Sequence, residues 1–527
     1  MLACKLDQNN VKLHRTSIPL TTGKNMVLLS RKFVSSFIVT TTMSVSTLVL
    51  GASLDVIGWG PTSHIKAKKE PPTWLGDDPI LGRLACPAIL RLEGDQLKND
   101  ALLLKVNPSV EKVGSGERWT LTLRPGLRWW SGFPIDASSL SNWLKTALPQ
   151  AVTERLSAAF PADVTFSVAG PLAVRIDFPM APNFGPYVLS GISLMRPTSD
   201  EGFECAGLYS MNVMPYGVDL ILNKGYTAKY DTIKVYGSST ALGTSSAGIK
   251  FSMANQASKA SATAIETKQC TNRIDIPLFT TLIWNPSSPL SSSALLRQGL
   301  TMATPRGEIL RTAAGDIGSL VSAPILRSHP GYNSKTLIRP YNLEAASQIF
   351  EQAGYKQAHI GLPRAKTADK PVSIQIARMS GRQDLVEKII NDSFASLGIE
   401  THFDDISNKN EKFDAVMAGI FIPMLSQDLR SVAHTSAIKT AGKNGLSFPF
   451  EYQGDKKLDE LLDDYSVSLT RDNADFGLLR KVHERWFEVE PWTVVMAHQY
   501  CVESKGLNLP KKLNTRDADW FRRLTVD

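Results

Sequence analysis

The chain alternates between two hydrophobic rhythms. Short stretches of β-branched and aromatic residues are followed by longer stretches with apolar residues every three to four positions. The first rhythm predicts strands over 55–60, 119–123, 218–222, 232–236, 372–377, 400–403, 413–417, 492–496 and 501–504, with two more around a Gly-Pro turn in 164–178. The second predicts helices over 136–148, 293–312, 342–353, 384–397, 457–468 and 475–488. Asp136 is placed as an N-cap, and Gly354 and Gly398 stop their helices. Residues 238–261, rich in Ser, Ala and Gly, fit either a loop or a small-residue helix. Alternation of the two element types along the chain argues for an α/β architecture. No repeat of 20–50 residues appears.

The amino terminus departs from this rhythm. From Met26, a short basic region (Arg31, Lys32) precedes the uncharged stretch 33–50 and the small residues Gly51, Ala52 and Ser53. That order is expected of a secretory signal over 26–53, cleaved after Gly51 or Ser53. About 18 uncharged residues are also just enough for an uncleaved anchor. No lipobox cysteine follows. Residues 1–25 are polar and fit neither role, and are expected to be an upstream extension of the true start at Met26.

Composition then narrows the function. Of 527 residues, 43% are hydrophobic and 20% charged, which excludes a disordered chain. The formal charge of +8 would suggest a polyanion partner. Six of the basic residues (Lys5, Lys12, Arg15, Lys24, Arg31, Lys32) and only one acid, Asp7, lie before residue 54. Residues 54–527 are therefore nearly balanced, and nucleic acid loses its support as a partner. Cys86, Cys205, Cys270 and Cys501 allow three two-disulfide pairings in an oxidising compartment, among which the sequence does not choose. Their wide spacing does not support a zinc site, and no metal or cofactor is expected. The eight histidines form no HExxH pattern, and no nucleophile elbow, phosphate loop or dinucleotide fingerprint occurs. An enzyme is not expected.

Two stretches carry a specific likeness. In 119–140, WTLTLRPGLRWWSGFPIDASSL, the residues Thr120, Leu123, Arg124, Gly126, Trp129, Gly132, Pro134 and Ala137 stand in an irregular register. In 284–310, Asn285, Pro289, Arg297, Gln298, Ala303 and Arg306 do the same, with Pro305 where an acid is usual. Together with 341–355, 385–403 and 413–419 they resemble the extracellular solute-binding proteins of peptide-type ABC transporters, the family 5 group of oligopeptide, dipeptide and nickel binders. The resemblance implies a periplasmic-binding-protein-like type II α/β fold, with two lobes, a two-stranded hinge and an inserted subdomain. Lobe I would comprise 54–83, 200–283 and 492–527, the insert 84–199 on the lobe I side, and lobe II 284–491. Trp284 and Asn285 would mark one hinge crossing, and Pro491 and Trp492 the other.

The implied function is an exported, monomeric, periplasmic receptor. It would capture a peptide-like or other small solute and deliver it to an ABC permease in the inner membrane. The alternative is the same fold serving as a ligand-responsive sensor or as a partner of a membrane receptor. Candidate ligand-binding residues are Trp74, Asp77, Ile420, Phe421, His498 and Tyr500. One departure stands out. Peptide-binding members carry Gly-Trp-x-x-Asp after the strand matching 413–419, and that Asp pairs with the ligand ammonium. Here Ile420 replaces the tryptophan and Pro423 the acid, which points to a ligand that is neutral or apolar at that end. Asp428 could substitute only if the loop were rebuilt.

Overall fold

The computed structural model describes residues 52–59, 78–93, 96–99, 102–156, 158–198, 202–237, 245–253, 270, 272–355, 372–379, 383–406, 412–422, 428–436, 448–471, 474–509, 513 and 520–525. The signal stretch, Trp74, Asp77 and Pro423 lie outside them.

One mixed sheet organises the chain. Its strands run in the order Tyr209–Met214, Gly217–Leu222, Thr232–Tyr236, Ser53–Ile57, Ala247–Ser252, Trp492–Lys505, Arg273–Trp284, Ala415–Phe421, Val372–Arg378 and Ile399–Asp405. Ser53–Ile57 is parallel to both its neighbours, and Val372–Arg378 is parallel to both of its own. Between these two parallel blocks lie the long antiparallel strands Arg273–Trp284 and Trp492–Lys505. Trp492–Lys505 is one continuous strand where two were expected. Residues 498–500 are polar or aromatic, but 497–500 are paired to Gly318, Ser319 and the strand Arg273–Trp284, so the ladder does not stop.

Period-2 alternation sorts the side chains into three apolar cores. On one side of the crossing Leu54, Val56, Val218, Leu220, Ile233, Val235, Ile249, Phe251 and Tyr500 form the first. On the other side the same sheet has both faces covered. Leu282, Trp284, Ala415 and Met417 pack with the helices Ala294–Ala303, Leu343–Gln352 and Asp384–Ser396. The alternate residues Phe279, Ile283, Val416, Ala418 and Ile420 pack with Lys456–Thr470 and Phe476–Val489. The expected helix over 293–312 is in fact two, Ala294–Ala303 and Arg306–Ala314. Pro305 has no N–H for the helical ladder, and the break falls there.

Residues 102–189 build a separate four-stranded sheet (Ser109–Val113, Gly116–Thr122, Ala173–Phe178, Thr165–Gly170) covered by the helix Ala137–Leu156. Asp136 caps that helix by accepting from Ser139 N at 2.8 Å. The root of this unit belongs to the first core. There Cys86 is bonded to Cys205, with Cα atoms 5.1 Å apart. Trp130 donates to the carbonyl of Ala85 (3.1 Å), and Gly207 lies so close that a Cβ would sit 2.1 Å from the same oxygen. Trp130 thus joins the stem, whereas Leu123, Trp129 and Ala137 of the same stretch pack in the core of the unit's body. The second disulfide, Cys270–Cys501, ties the approach of one long strand to the other. Removing the stem bridge in the double variant Cys86→Ser/Cys205→Ser should cost about 2–5 kcal/mol of stability, read as a lowered urea midpoint.

A candidate ligand site at the strand crossing

The long strands pair Arg273–Asp275 with Gln499–Cys501, and Phe279–Ile283 with Trp492–Ala497. Between Asp275 and Phe279 the register shifts, so that three residues, including Pro277, face one. A proline cannot donate to the ladder, and within sheets it is confined to edges and irregularities of this kind. The carbonyl of Pro277 is used instead, by Ile422 N at 2.8 Å.

Aromatic residues gather beside this break. Tyr500 packs against Trp59 (ring centroids 5.3 Å) and Phe251 (5.5 Å), and Trp59 meets Phe251 at 4.8 Å. Trp59 is oriented by Asp78, whose Oδ2 accepts its indole N–H at 3.0 Å. The other carboxylate oxygen of Asp78 accepts from the backbone N–H groups of Ile80 and Leu81. Burial raises the Asp78 carboxyl to about 6 despite those bonds. Across the break Phe421 ends its strand opposite Leu278 and is 39% exposed. Ile420 points the other way, into the core, at 1%.

His498 lies at the break itself. Its Nε2 is 2.8 Å from Thr280 Oγ1, and burial depresses its pKa to about 4, so the ring is neutral at neutral pH. On the face opposite Tyr500, Gln499 Nε2 donates to Asp275 Oδ1 at 2.7 Å, and the Ser328 hydroxyl bonds to the other oxygen. Gln499 Oε1 is buried without a partner.

Of the residues anticipated from sequence, Phe421, His498 and Tyr500 are thus gathered at the crossing, with Ile420 turned inward. Trp284, Asn285, Pro491 and Trp492 cluster elsewhere, at the far ends of the long strands. Trp284 Nε1 donates to Thr493 (3.0 Å), Asn285 Nδ2 to the Phe413 carbonyl (2.9 Å), and Trp492 meets Trp486 edge-on. Five residues of strand, about 17 Å, separate Trp284 from Phe279 at the break. Sequence reasoning missed Trp59, Asp78, Thr280 and Asp275. For Trp59 a signal existed: an aromatic residue between Gly58 and Gly60 at the carboxyl end of a parallel strand, where open α/β sheets bind ligands.

Other polar clusters are occupied by structure. Asp428 is buried, accepting from Arg430 N (3.1 Å) and Ser466 Oγ (3.2 Å), so it is committed away from any ligand ammonium. Arg297 and Gln298 donate to the carbonyls of Val489 and Glu488, and Arg306 to those of Val321, Val494 and Arg339. Glu490, bonded to Thr301 and Arg339, is raised to about 7 by burial. His483 Nδ1 accepts from Asn333 N (2.9 Å), so Nε2 holds the proton and donates to Ser322. That histidine cannot serve the serine as a base. At His434 the Nδ1 lone pair already takes the Ser436 N–H (3.0 Å). Among the described residues no three His, Cys, Asp or Glu side chains are grouped to hold a metal, and no helix is long and apolar enough to cross a membrane.

Residues 109–432 match the family described as bacterial extracellular solute-binding proteins, family 5, middle. The chain belongs to that family. It is a binding family and not a catalytic one, in keeping with histidines that are bonded as core groups. No curated protein matches the chain. Among solved structures it is similar to a putative peptide-binding protein AppA from Clostridium difficile, at 15% identity and TM-score 0.63, over 90% of this chain and 100% of that one. NikA from Brucella suis in complex with Fe(III)-EDTA has 14% identity and TM-score 0.63, with the same coverage. AppA from Bacillus subtilis in complex with a nonapeptide has 14% identity and TM-score 0.60, over 90% of this chain and 99% of that one. These likenesses show the mixed α/β fold of family 5 substrate-binding proteins over 90% of the chain.

His498 and His483, both held near 4, bind protons in the unfolded chain near 6.5 before they do so in the folded one. Their contribution is present above pH 6.5 and lost as pH falls toward 4. Asp78 and Glu490 act oppositely, losing stability as pH rises from about 4 toward 6 and 7. The variant His498→Gln should therefore lose about 2 kcal/mol less than the parent between pH 7 and pH 5 in urea denaturation.

Proposed function

We propose that this chain is the exported solute receptor of a peptide-type ABC importer, working in the periplasm as a monomer and handing its ligand to an inner-membrane permease. Two lobes, one on each side of the crossing, would bend at the register break around Pro277 and His498. The antiparallel pairing of the two long strands is already interrupted there, and Pro277 has no N–H to offer to the ladder. The ligand would be received beside the exposed Phe421 and its strand partner Leu278, with the buried Trp59–Tyr500 pair in the core behind them. Two disulfides among four cysteines support an oxidising, exported setting.

The observation that carries the ligand reading is the exposed Phe421 at the end of its strand, with the nearest downstream acid, Asp428, already bonded within the protein. Affinity then comes from apolar and aromatic burial with a few polar contacts. Among the described residues the carboxylates beside the crossing, Asp78 and Asp275, are already hydrogen-bonded within the protein, so the preferred solute is neutral or apolar at that end.

Calorimetric titration with free-amine di- to pentapeptides should show no binding tighter than millimolar. Micromolar affinity would overturn the ligand reading. Native mass spectrometry of the secreted protein should show a retained small solute, and Phe421→Asp should abolish that retention while the melting temperature changes little.

A further inference from the structure

The unit formed by residues 102–189 is attached to lobe I by its stem, yet its body is packed elsewhere. Trp119, Leu144, Leu148, Val152, Phe184 and Leu189 belong to the same buried cluster as Leu429, Leu462, Tyr465 and Leu469 of lobe II. The contact is made by the short turn Pro186–Leu189, all four of whose residues are buried, against the helix Lys456–Thr470. The helix Ala137–Leu156 adds a second contact, to Arg430–Ala433 and Lys456–Thr470.

At the seam the backbones nearly touch. A Cβ on Gly185 would lie 2.3 Å from the Thr470 carbonyl oxygen, so only glycine fits. Gly185 N donates to Thr470 Oγ1 at 3.3 Å. Arg471 extends from the same helix end to Glu117 (3.1 Å) and to the Pro182 carbonyl. Arg155, which donates to the Val188 carbonyl at 3.0 Å, contributes a favourable charge to the buried Asp428 of lobe II.

We infer that this unit is a strap between the lobes. It is covalently fixed to lobe I through Cys86–Cys205 and welded to lobe II through the Gly185–Thr470 seam. Parting the seam would expose a contiguous apolar patch and leave Asp428 with only Arg430 of its two cationic neighbours, and both carry a cost. The strap therefore keeps the lobes together without ligand, and the motion left at the Pro277 break is small. This rests on the two-lobe reading proposed above; peptide titration tests the ligand reading separately.

Distance measurements by electron paramagnetic resonance can test it. Spin labels would be placed at the exposed positions Lys224 (lobe I), Gln352 (lobe II) and Lys112 (strap), in protein stripped of solute by unfolding and refolding with its disulfides intact. The 224–352 and 112–352 distances should each give one narrow population. Gly185→Val should add a longer population to both. Should Gly185→Val fail to fold, Arg471→Ala combined with Glu117→Ala is expected to broaden the same distances. The strap is wrong if the parent already shows two 224–352 populations, or if a folded seam variant leaves both distances unchanged.

Discussion

Everything in this protein depends on two long strands that belong to both halves at once. Arg273–Trp284 and Trp492–Lys505 are the middle of a sheet whose outer blocks are parallel and whose own pairing is antiparallel. A strand shared by two cores must satisfy two hydrophobic patterns in succession. Here it does so by shifting register, with Ile274 and Tyr500 facing the first core and Phe279, Ile283 and Val494 the core under Lys456–Thr470 and Phe476–Val489. The shift needs a residue that costs nothing when unpaired, and Pro277 is that residue. The two strands thereby run on through a place where their mutual pairing is interrupted.

The buried polar groups follow from the same arrangement. Strands that run between cores end in helices whose terminal carbonyls fall inside the protein, and buried carbonyls need donors. Arg297, Gln298 and Arg339 supply them at the end of Phe476–Val489, and Arg306 serves the carbonyls of Val321, Val494 and Arg339. Arg297, Gln298 and Arg306 are among the residues that carry the family likeness, yet their work is to satisfy backbone carbonyls. The residues at the crossing are of another kind. Trp59, Tyr500 and Phe421 are aromatic, and the Asp78 carboxylate beside Trp59 bonds its indole and the backbone of Ile80 and Leu81.

Legibility varied with how much of its environment an element carries in its own residues. The helices Asp384–Ser396, Lys456–Thr470 and Phe476–Val489 agree closely with expectation, because apolar period and capping residues coincide. Ser109–Val113 was missed because all five of its residues are exposed, so no alternation marks it. Arg273–Trp284 was missed because a proline inside a strand reads locally as an end, and the bulge that accommodates it exists only once Trp492–Lys505 is alongside. At the site, His498, Tyr500 and Phe421 were reachable by likeness to the family, whereas Trp59 and Asp78 are brought to Tyr500 from more than 400 positions away.

The sequence by itself determined the family, the alternation of strand and helix, the capped helix ends and the presence of Pro423 two residues after Phe421. These are properties of residue type and spacing, and short-range physics suffices to read them. The tertiary structure decided which cysteines pair, which carboxylates are already spent, where the long strands slip, and which core the strap's apolar body joins. Each of these is a contact between residues distant in the chain, and such a contact is settled by the packing of whole cores, which no local pattern encodes.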